Sequence, residues 1–273
     1  MHRLSFFTTL RKACGFVWQE RRDFLAFAYL PVIANALLDV AKYESLPQPL
    51  PQTVGEIVAN LSAMAAFIWF ASLVATVGFY VVFAVAWHRR TLLPGETSTV
   101  GEALRWRARH WRFFAATVLL ALAGGFALQI SGLVAGQLGG ALLGQAGGIV
   151  SMLVLFVVMT VLVRFLPLFA AIAVDDRQMT PRTVWRLTRG NGAPLFMLLF
   201  VVWVAIVAVR LMAVSLWYAV LGTAAAEGSL LAVFALILLD QILTFVGIAL
   251  STTIVSIAYR DLTANARSGG PTV

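Results

Sequence analysis

Residues 88–112, HRRTLLPGETSTVGEALRWRARHWR, separate two strongly apolar runs and hold six of the chain's 20 lysines and arginines against two acids, Glu96 and Glu102. Loops rich in Lys and Arg stay on the cytoplasmic side of a bilayer. The stretch therefore sets the topology: the apolar run before it ends in the cytoplasm and the run after it starts there. Pro94-Gly95 reads as a turn, and Thr99-Val100-Gly101-Glu102 has the Ser/Thr-x-x-Glu spacing of a capping box. A helix is predicted from Thr99 onward. At about 100° per residue, Val100, Leu104, Ala108 and Trp111 fall within one quadrant, while Arg105, Arg109 and Arg112 gather opposite. Such a helix lies in the headgroup layer, its arginines toward anionic lipid and its Trp at the interface. An ordinary inner loop that happens to be helical accounts for the same pattern.

Composition points the same way. The chain is 61% hydrophobic and 12% charged, with a mean hydropathy of +0.90, whereas a soluble domain is roughly half apolar. A formal charge of +8 would suggest nucleic acid for a soluble protein. Here the bases cluster at the ends of apolar runs, as membrane topology requires, so nucleic acid is not an expected partner. The single cysteine, Cys14, excludes an intrachain disulfide and a Cys-based zinc site, and is expected to be a buried small hydrophobe. Arg3, Arg11 and Lys12 are not followed by a compact apolar region and a small-residue cleavage site, so no signal peptide is expected.

Six spans follow from the hydropathy. Residues 4–22 read as an inner interfacial helix. The first span, Phe24 to about Val40, is short for the roughly 20 residues a crossing needs and carries Pro31, Asn35 and Asp39, so it is expected inside a bundle. Residues 42–56, with Pro47, Pro49 and Pro51, form an external loop. The second span, residues 57–87, is long enough to tilt. The third starts near Phe113 and runs into Gly132, Gly136, Gly140, Gly144 and Gly148. That four-residue period suits close helix packing at both ends around an external turn near Gly139-Gly140, and lacks the Lys of a phosphate-binding loop. The fourth span, about 149–174, contains Arg164 and Pro167 and ends at Asp175-Asp176, read as solvated cap charges. Thr180-Pro181 then starts a second basic helix, with Arg182, Arg186 and Arg189 opposite Val184. Spans at about 194–221 and 229–258 complete the set, joined by a short external turn holding Glu227.

Three basic, Trp-containing segments are each followed by two spans. This predicts one integral membrane domain built from three units of about 4–88, 98–176 and 180–259, a weak internal repeat, with residues 260–273 as a flexible tail. Seventeen bases fall inside, Lys42 alone outside, and Arg164 and Arg210 within spans. Both termini are expected in the cytoplasm.

Charges within spans cost at least about 2.5–3.5 kcal/mol and need a partner or water. Counting about 1.5 Å per residue, Asp39, Arg210 and Asp240 reach similar depth, joined by Gln129. They are expected to form one polar layer with an Arg210–Asp240 ion pair and Asp39 as competing partner. It serves either to fix the helices or as a proton or ligand site. Arg164, one turn before Pro167, either lines an inward-facing cavity or reaches to the headgroups. Catalysis has little support. His2, His88 and His110 sit at the chain start or at membrane edges without metal-ligand spacing, and no Gly-x-Ser-x-Gly elbow occurs. No metal, cofactor or catalytic residue is expected.

The segments AWHRRTLLPGE (residues 86–96) and VWRLTRGNGAPLF (residues 184–196) resemble those of uncharacterised bacterial six-span inner-membrane proteins, the YciC-like proteins, and of the membrane domain attached to some glycerophosphodiester phosphodiesterases. The resemblance implies a six-helix inner-membrane fold. It carries no catalytic residues, and no soluble phosphodiesterase domain is read in these residues, so that activity is not expected. The expected function is therefore non-enzymatic: binding of anionic membrane lipid, a membrane-protein partner or a second copy through the arginine-rich inner face. The residues expected to do so are Arg105, Arg109, Arg112, Arg182, Arg186 and Arg189. A transporter or lipid-translocating protein using the Asp39, Arg210 and Asp240 layer is the alternative.

Overall fold

The computed structural model describes residues 4–45, 62–96, 100–103, 105–134, 146–221 and 229–268, all helix, turn and short connection with no strand among them. The helices are α1 (Phe6–Gln19), α2 (Arg21–Glu44), α3 (Ala63–Leu92), α4 (Val100–Ala103) and α5 (Ala108–Val134), then α6 (Ala146–Val163), α7 (Pro167–Ala173), α8 (Pro181–Leu187), α9 (Gly192–Leu221) and α10 (Leu230–Ser268). Six stretches are long and apolar enough to cross a membrane: α2, α3, α5, α9, α10, and α6 with α7 taken together. The chain is an all-α, polytopic membrane protein with six spans.

The spans form a ring in chain order. α2 packs on α3, α3 on α5, α5 on α6, α6 on α9 and α9 on α10, and α10 closes back on α2. α3 and α10 also meet across the middle, where α7 joins both. That seam is built from aromatic residues at helical spacing. Phe83 and Trp87 stack on one face of α3, and Phe24 from α2 and Phe245 from α10 meet Phe83 edge-on. Edge-to-face geometry adds about 0.5–1.5 kcal/mol per pair to the area buried. The Trp87 indole N–H is satisfied inside the seam by the Ala249 carbonyl at 3.1 Å and the Thr253 hydroxyl at 2.9 Å.

α1 lies across the basic end, burying Thr9 and Ala13 and leaving Phe7 and Trp18 exposed. Its apolar face packs on α10 and α9 through Ala13, Leu195, Leu198, Ile254 and Ala258. Cys14, expected buried, is exposed, because neighbouring Ala13 takes the inward position. α2 buries Phe24, Phe27, Pro31, Val32 and Asn35, as its polar content suggested.

Several boundaries differ from expectation. Lys42 belongs to the last turn of α2 rather than to a loop. α10 runs to Ser268, so residues 260–268 extend the last helix where a flexible tail was expected, and the rest of that tail lies outside the described residues. The external loop around Pro47 to Pro51, the capping residue Thr99, Gly136, Gly140 and Gly144, and Glu227 lie outside the described residues. A Cβ placed on Gly132 would meet nothing within 4 Å, so among the described residues no helix packs closely there.

The largest difference concerns residues 99–112. One continuous interfacial helix was expected. Instead α4 stops at Ala103, Arg105 to Arg107 are non-helical, and α5 starts at Ala108 and continues directly into the third span. Arg109, Trp111 and Arg112 therefore occupy the first turns of a spanning helix. His110 Nδ1 accepts from the Arg107 N–H at 2.9 Å, capping that start.

Candidate functional site

Charged side chains collect in two places, the basic end and a polar group inside the spans. At the basic end the organising residue is Asp175. It follows α7 with φ 59°, the left-handed region. Its N–H bonds to the Ile172 carbonyl at 3.2 Å and the Asp176 N–H to the Ala171 carbonyl at 2.9 Å. This is the Schellman ending, in which glycine normally occupies the left-handed position. Aspartate is among the few residues that tolerate it, and here the carboxylate meets three arginines. Arg109 lies at 3.0 Å, Arg112 is in direct contact, and Arg89 stands at 4.0 Å while also donating to the Ala173 carbonyl at 3.0 Å. Arg89 further pairs with Glu96. Asp176, the adjacent acid, accepts from the Tyr259 hydroxyl at 2.5 Å. These acids are structural hubs rather than the solvated caps expected.

Arg90 repeats the device against the first unit, meeting Glu20 at 2.7 Å and Asp23 at 2.6 Å. Glu20 is the joint between α1 and α2, so the ion pair ties that joint to the end of α3. Of the six arginines expected to face lipid, Arg109 and Arg112 turn instead to Asp175. Arg105, Arg182, Arg186 and Arg189 are exposed and make no ion pair among the described residues. α8 forms as its sequence dictates: the Thr180 hydroxyl accepts from the Thr183 N–H at 3.2 Å, Pro181 takes the first position, and Val184 is buried beneath the arginines.

Arg164 reaches from its span toward the basic segment of α8. Around Pro167 the fourth span tightens, with i to i+3 bonds from Leu166 to the Val163 carbonyl and from Phe165 to that of Leu162, both at 3.0 Å. The carbonyl that proline would leave free is thereby satisfied. The Arg164 guanidinium lies over the Trp185 ring at 3.4 Å from its centroid and donates to the Trp185 carbonyl at 2.6 Å. Its stem passes over Gly192, where a Cβ would stand 2.9 Å from Cγ. Arg164 thus clamps the broken span to α8 and the start of α9.

Within the spans, Arg210 Nε lies 3.1 Å from Asp240 Oδ1, the expected ion pair. Arg210 also contacts the Thr244 hydroxyl, one turn along α10. Asp39 is not a competitor for Arg210. It accepts from Gln241 at 2.6 Å and pairs with Lys42. Even so, Asp39, Arg210 and Asp240 border a single pocket of about 260 Å³. Asn35, one turn before Asp39, is fully buried with neither amide atom bonded among the described residues. Gln129 does not join this layer; it is exposed on α5, whose neighbours are α3, α6 and α7.

A larger groove, about 810 Å³, opens at the basic end between α1, the turn after α3, and α10. Arg11, Lys12 and Arg260 border it together with Phe7, Phe16 and Ile257. Arg11 and Lys12 are exposed and make no ion pair among the described residues, while Arg260 stands 3.7 Å from Asp261. Sequence reading passed over Arg11 and Lys12 as ordinary topology charges. The groove depends on α10 continuing to Arg260, beyond the expected end of the span.

Among the described residues no cluster of His, Cys, Asp or Glu could hold a metal ion. Comparison with protein-family models, with curated proteins and with solved structures finds no match to this chain.

Proposed function

We propose that this six-span protein binds anionic phospholipid at its basic end, that this end faces the cytoplasm from a bacterial inner membrane, and that the chain carries no catalysis of its own. The observation that carries the reading is the groove that Arg11, Lys12 and Arg260 line together with Phe7, Phe16 and Ile257. A phospholipid presents the same two chemistries, an anionic phosphate and acyl carbon. The exposed Arg105, Arg182, Arg186 and Arg189 extend the positive surface around it, and exposed Phe7 and Trp18 suit the interface.

The test is native mass spectrometry of the protein from nanodiscs of equal phosphatidylglycerol and phosphatidylethanolamine. Each cation near an anionic surface contributes about 1 kcal/mol. Combining Arg11→Gln with Lys12→Gln therefore lowers the preference for phosphatidylglycerol by roughly 30-fold. Equal retention of the two lipids by the unaltered protein overturns the reading. A retained protein or second copy that is lost on the same substitutions reassigns the face to a partner.

A second reading has its own observation. Asp39, Arg210 and Asp240 border one pocket, and Asn35, one turn before Asp39 on α2, has neither amide atom bonded among the described residues, an arrangement suited to moving a proton or polar solute. Asp240→Asn would then abolish flux in proteoliposomes while leaving the folded yield intact. Unchanged flux confines the pair to holding α9 on α10.

A further inference from the structure

A cavity of about 590 Å³ lies where α5 stands off from α9 and α10, with α3 at one side and α7 closing its basic end. That volume is within the about 300–1,000 Å³ of small-molecule sites. The wall is apolar, with Phe113, Leu162, Phe169 and Trp203 among its residues, and no Lys, Arg, Asp or Glu lines it among the described residues. His88 also lines it, only 3% exposed. Its Nδ1 is held by the Ser256 hydroxyl at 2.7 Å, and its ring leans on Phe113. The other nitrogen, Nε2, has no hydrogen-bond partner among the described residues. That nitrogen is not among the sealed, unsatisfied buried atoms, so it is open to a ligand, and a polar atom facing an apolar wall gains by bonding to one.

We infer that this cavity binds one neutral lipid, its polar end hydrogen-bonded to His88 Nε2 and its chain running between α5 and α9 toward the bilayer centre. Neutrality follows from the lining, because a phosphate or carboxylate here would be a buried charge without a counter-ion. Orientation follows from the helices. His88 is next to Arg89 and Arg90 at the basic end of α3, whereas Gly124 lies about 24 Å along α5 from Ala108. At Gly124 a Cβ would have only Leu162 Cδ1 within 4 Å, at 3.6 Å, so the absent side chain leaves room for the chain of the lipid. A carbonyl or hydroxyl on a long hydrocarbon meets these demands. Diacylglycerol and isoprenoid quinone share that chemistry.

The full chain, delipidated in an uncharged detergent, is offered dioleoylglycerol, an isoprenoid quinone and phosphatidylglycerol separately, and occupancy is read by native mass spectrometry. One neutral molecule per chain is expected, and whichever of the two binds identifies the source. Gly124→Leu fills the cavity and lowers that occupancy by roughly tenfold or more, and His88→Phe lowers it about two- to tenfold. Neither change alters retention of phosphatidylglycerol, and Arg11→Gln with Lys12→Gln leaves neutral-lipid occupancy unchanged, so the groove and the cavity fail separately. Should His88→Phe not fold, Gly124→Leu decides. Failure of both neutral lipids to bind, or occupancy indifferent to Gly124→Leu, overturns the inference.

Discussion

Replacing Asp175 separates backbone strain from charge pairing at the basic end. Its φ of 59° costs an ordinary L-residue roughly 1–2 kcal/mol, a penalty glycine escapes and Asp or Asn softens. Its carboxylate meets Arg109 at 3.0 Å, Arg112 in contact and Arg89 at 4.0 Å. The Asp175 side chain is 42% exposed, so each pair is discounted to about 0.2–1 kcal/mol, or about 0.6–3 kcal/mol for the three. Asp175→Asn loses the pairing and keeps the tolerated backbone, a destabilisation of about 0.6–3 kcal/mol. Asp175→Gly loses the same pairing but relieves strain, and should lie at or slightly above Asn. Asp175→Ala loses the pairing and takes the full strain, falling about 1–2 kcal/mol below Gly. Urea unfolding in uncharged micelles, followed by tryptophan fluorescence, measures all four proteins. At 1 M salt, where the screening length is about 3 Å, the gap between wild type and Asn should shrink. The gap between Gly and Ala should not. Equal stability of Gly and Ala refutes the strain argument, and a salt-insensitive Asn variant refutes the electrostatic one.

Three further outcomes can be checked in the same assay. Gly192→Ala forces a Cβ to 2.9 Å from Arg164 Cγ and 3.3 Å from Thr160 Cγ2, and should cost about 1–3 kcal/mol; adding Arg164→Ala should recover part of that loss, and an additive double variant argues against the clamp. Trp87→Phe removes the donor to Ala249 and Thr253 and should cost about 1–3 kcal/mol, with a neutral result showing that the seam relies on shape alone. Asn35→Leu replaces a buried amide with no partner among the described residues by an apolar group of similar size, and should stabilise by about 1–3 kcal/mol. A loss of stability there would place an ordered water or a bound polar molecule against Asn35.

Much of the fold is legible from the chain because each clue acts locally or through the bilayer. Apolar length and the bias of Lys and Arg locate six spans without knowledge of packing. Thr180-Pro181 announces α8 because hydroxyl, proline and the first N–H groups lie within four residues of one another. The Arg210–Asp240 pair could be anticipated because charges within spans are few and depth limits their partners. Features that depend on distant elements were not legible. The break after Ala103 follows from Arg109 and Arg112 being drawn to Asp175, some sixty residues on, and no helical period records that attraction. Arg164 was read against its own span, whereas its partners, Trp185 and Thr188, lie on the next basic segment. That His88 turns into the helix packing was not legible, because its partner Ser256 lies on α10. The available signal was the run of hydroxyls at 251–253 and 256, unusual in a span otherwise apolar.

The pairing pattern sorts the basic residues into two groups that a charge count treats alike. Arg89, Arg90, Arg109 and Arg112 have carboxylate partners among Glu20, Asp23, Glu96 and Asp175. Their charges are largely compensated, and they hold helix ends together. Arg11, Lys12, Arg182, Arg186 and Arg189 have no such partner among the described residues and stand exposed, so their field is available to an anion. Neutralising a member of the first group should lower stability while leaving lipid preference nearly intact. Neutralising members of the second should do the reverse, since a solvated cation contributes little to folding but about 1 kcal/mol to an anionic surface. Measuring both quantities on Arg109→Gln and Arg11→Gln distinguishes a basic end built for assembly from one built for binding. If the two variants behave alike, charge at this end acts only as a bulk topology signal, and the groove between α1 and α10 loses its claim to a ligand.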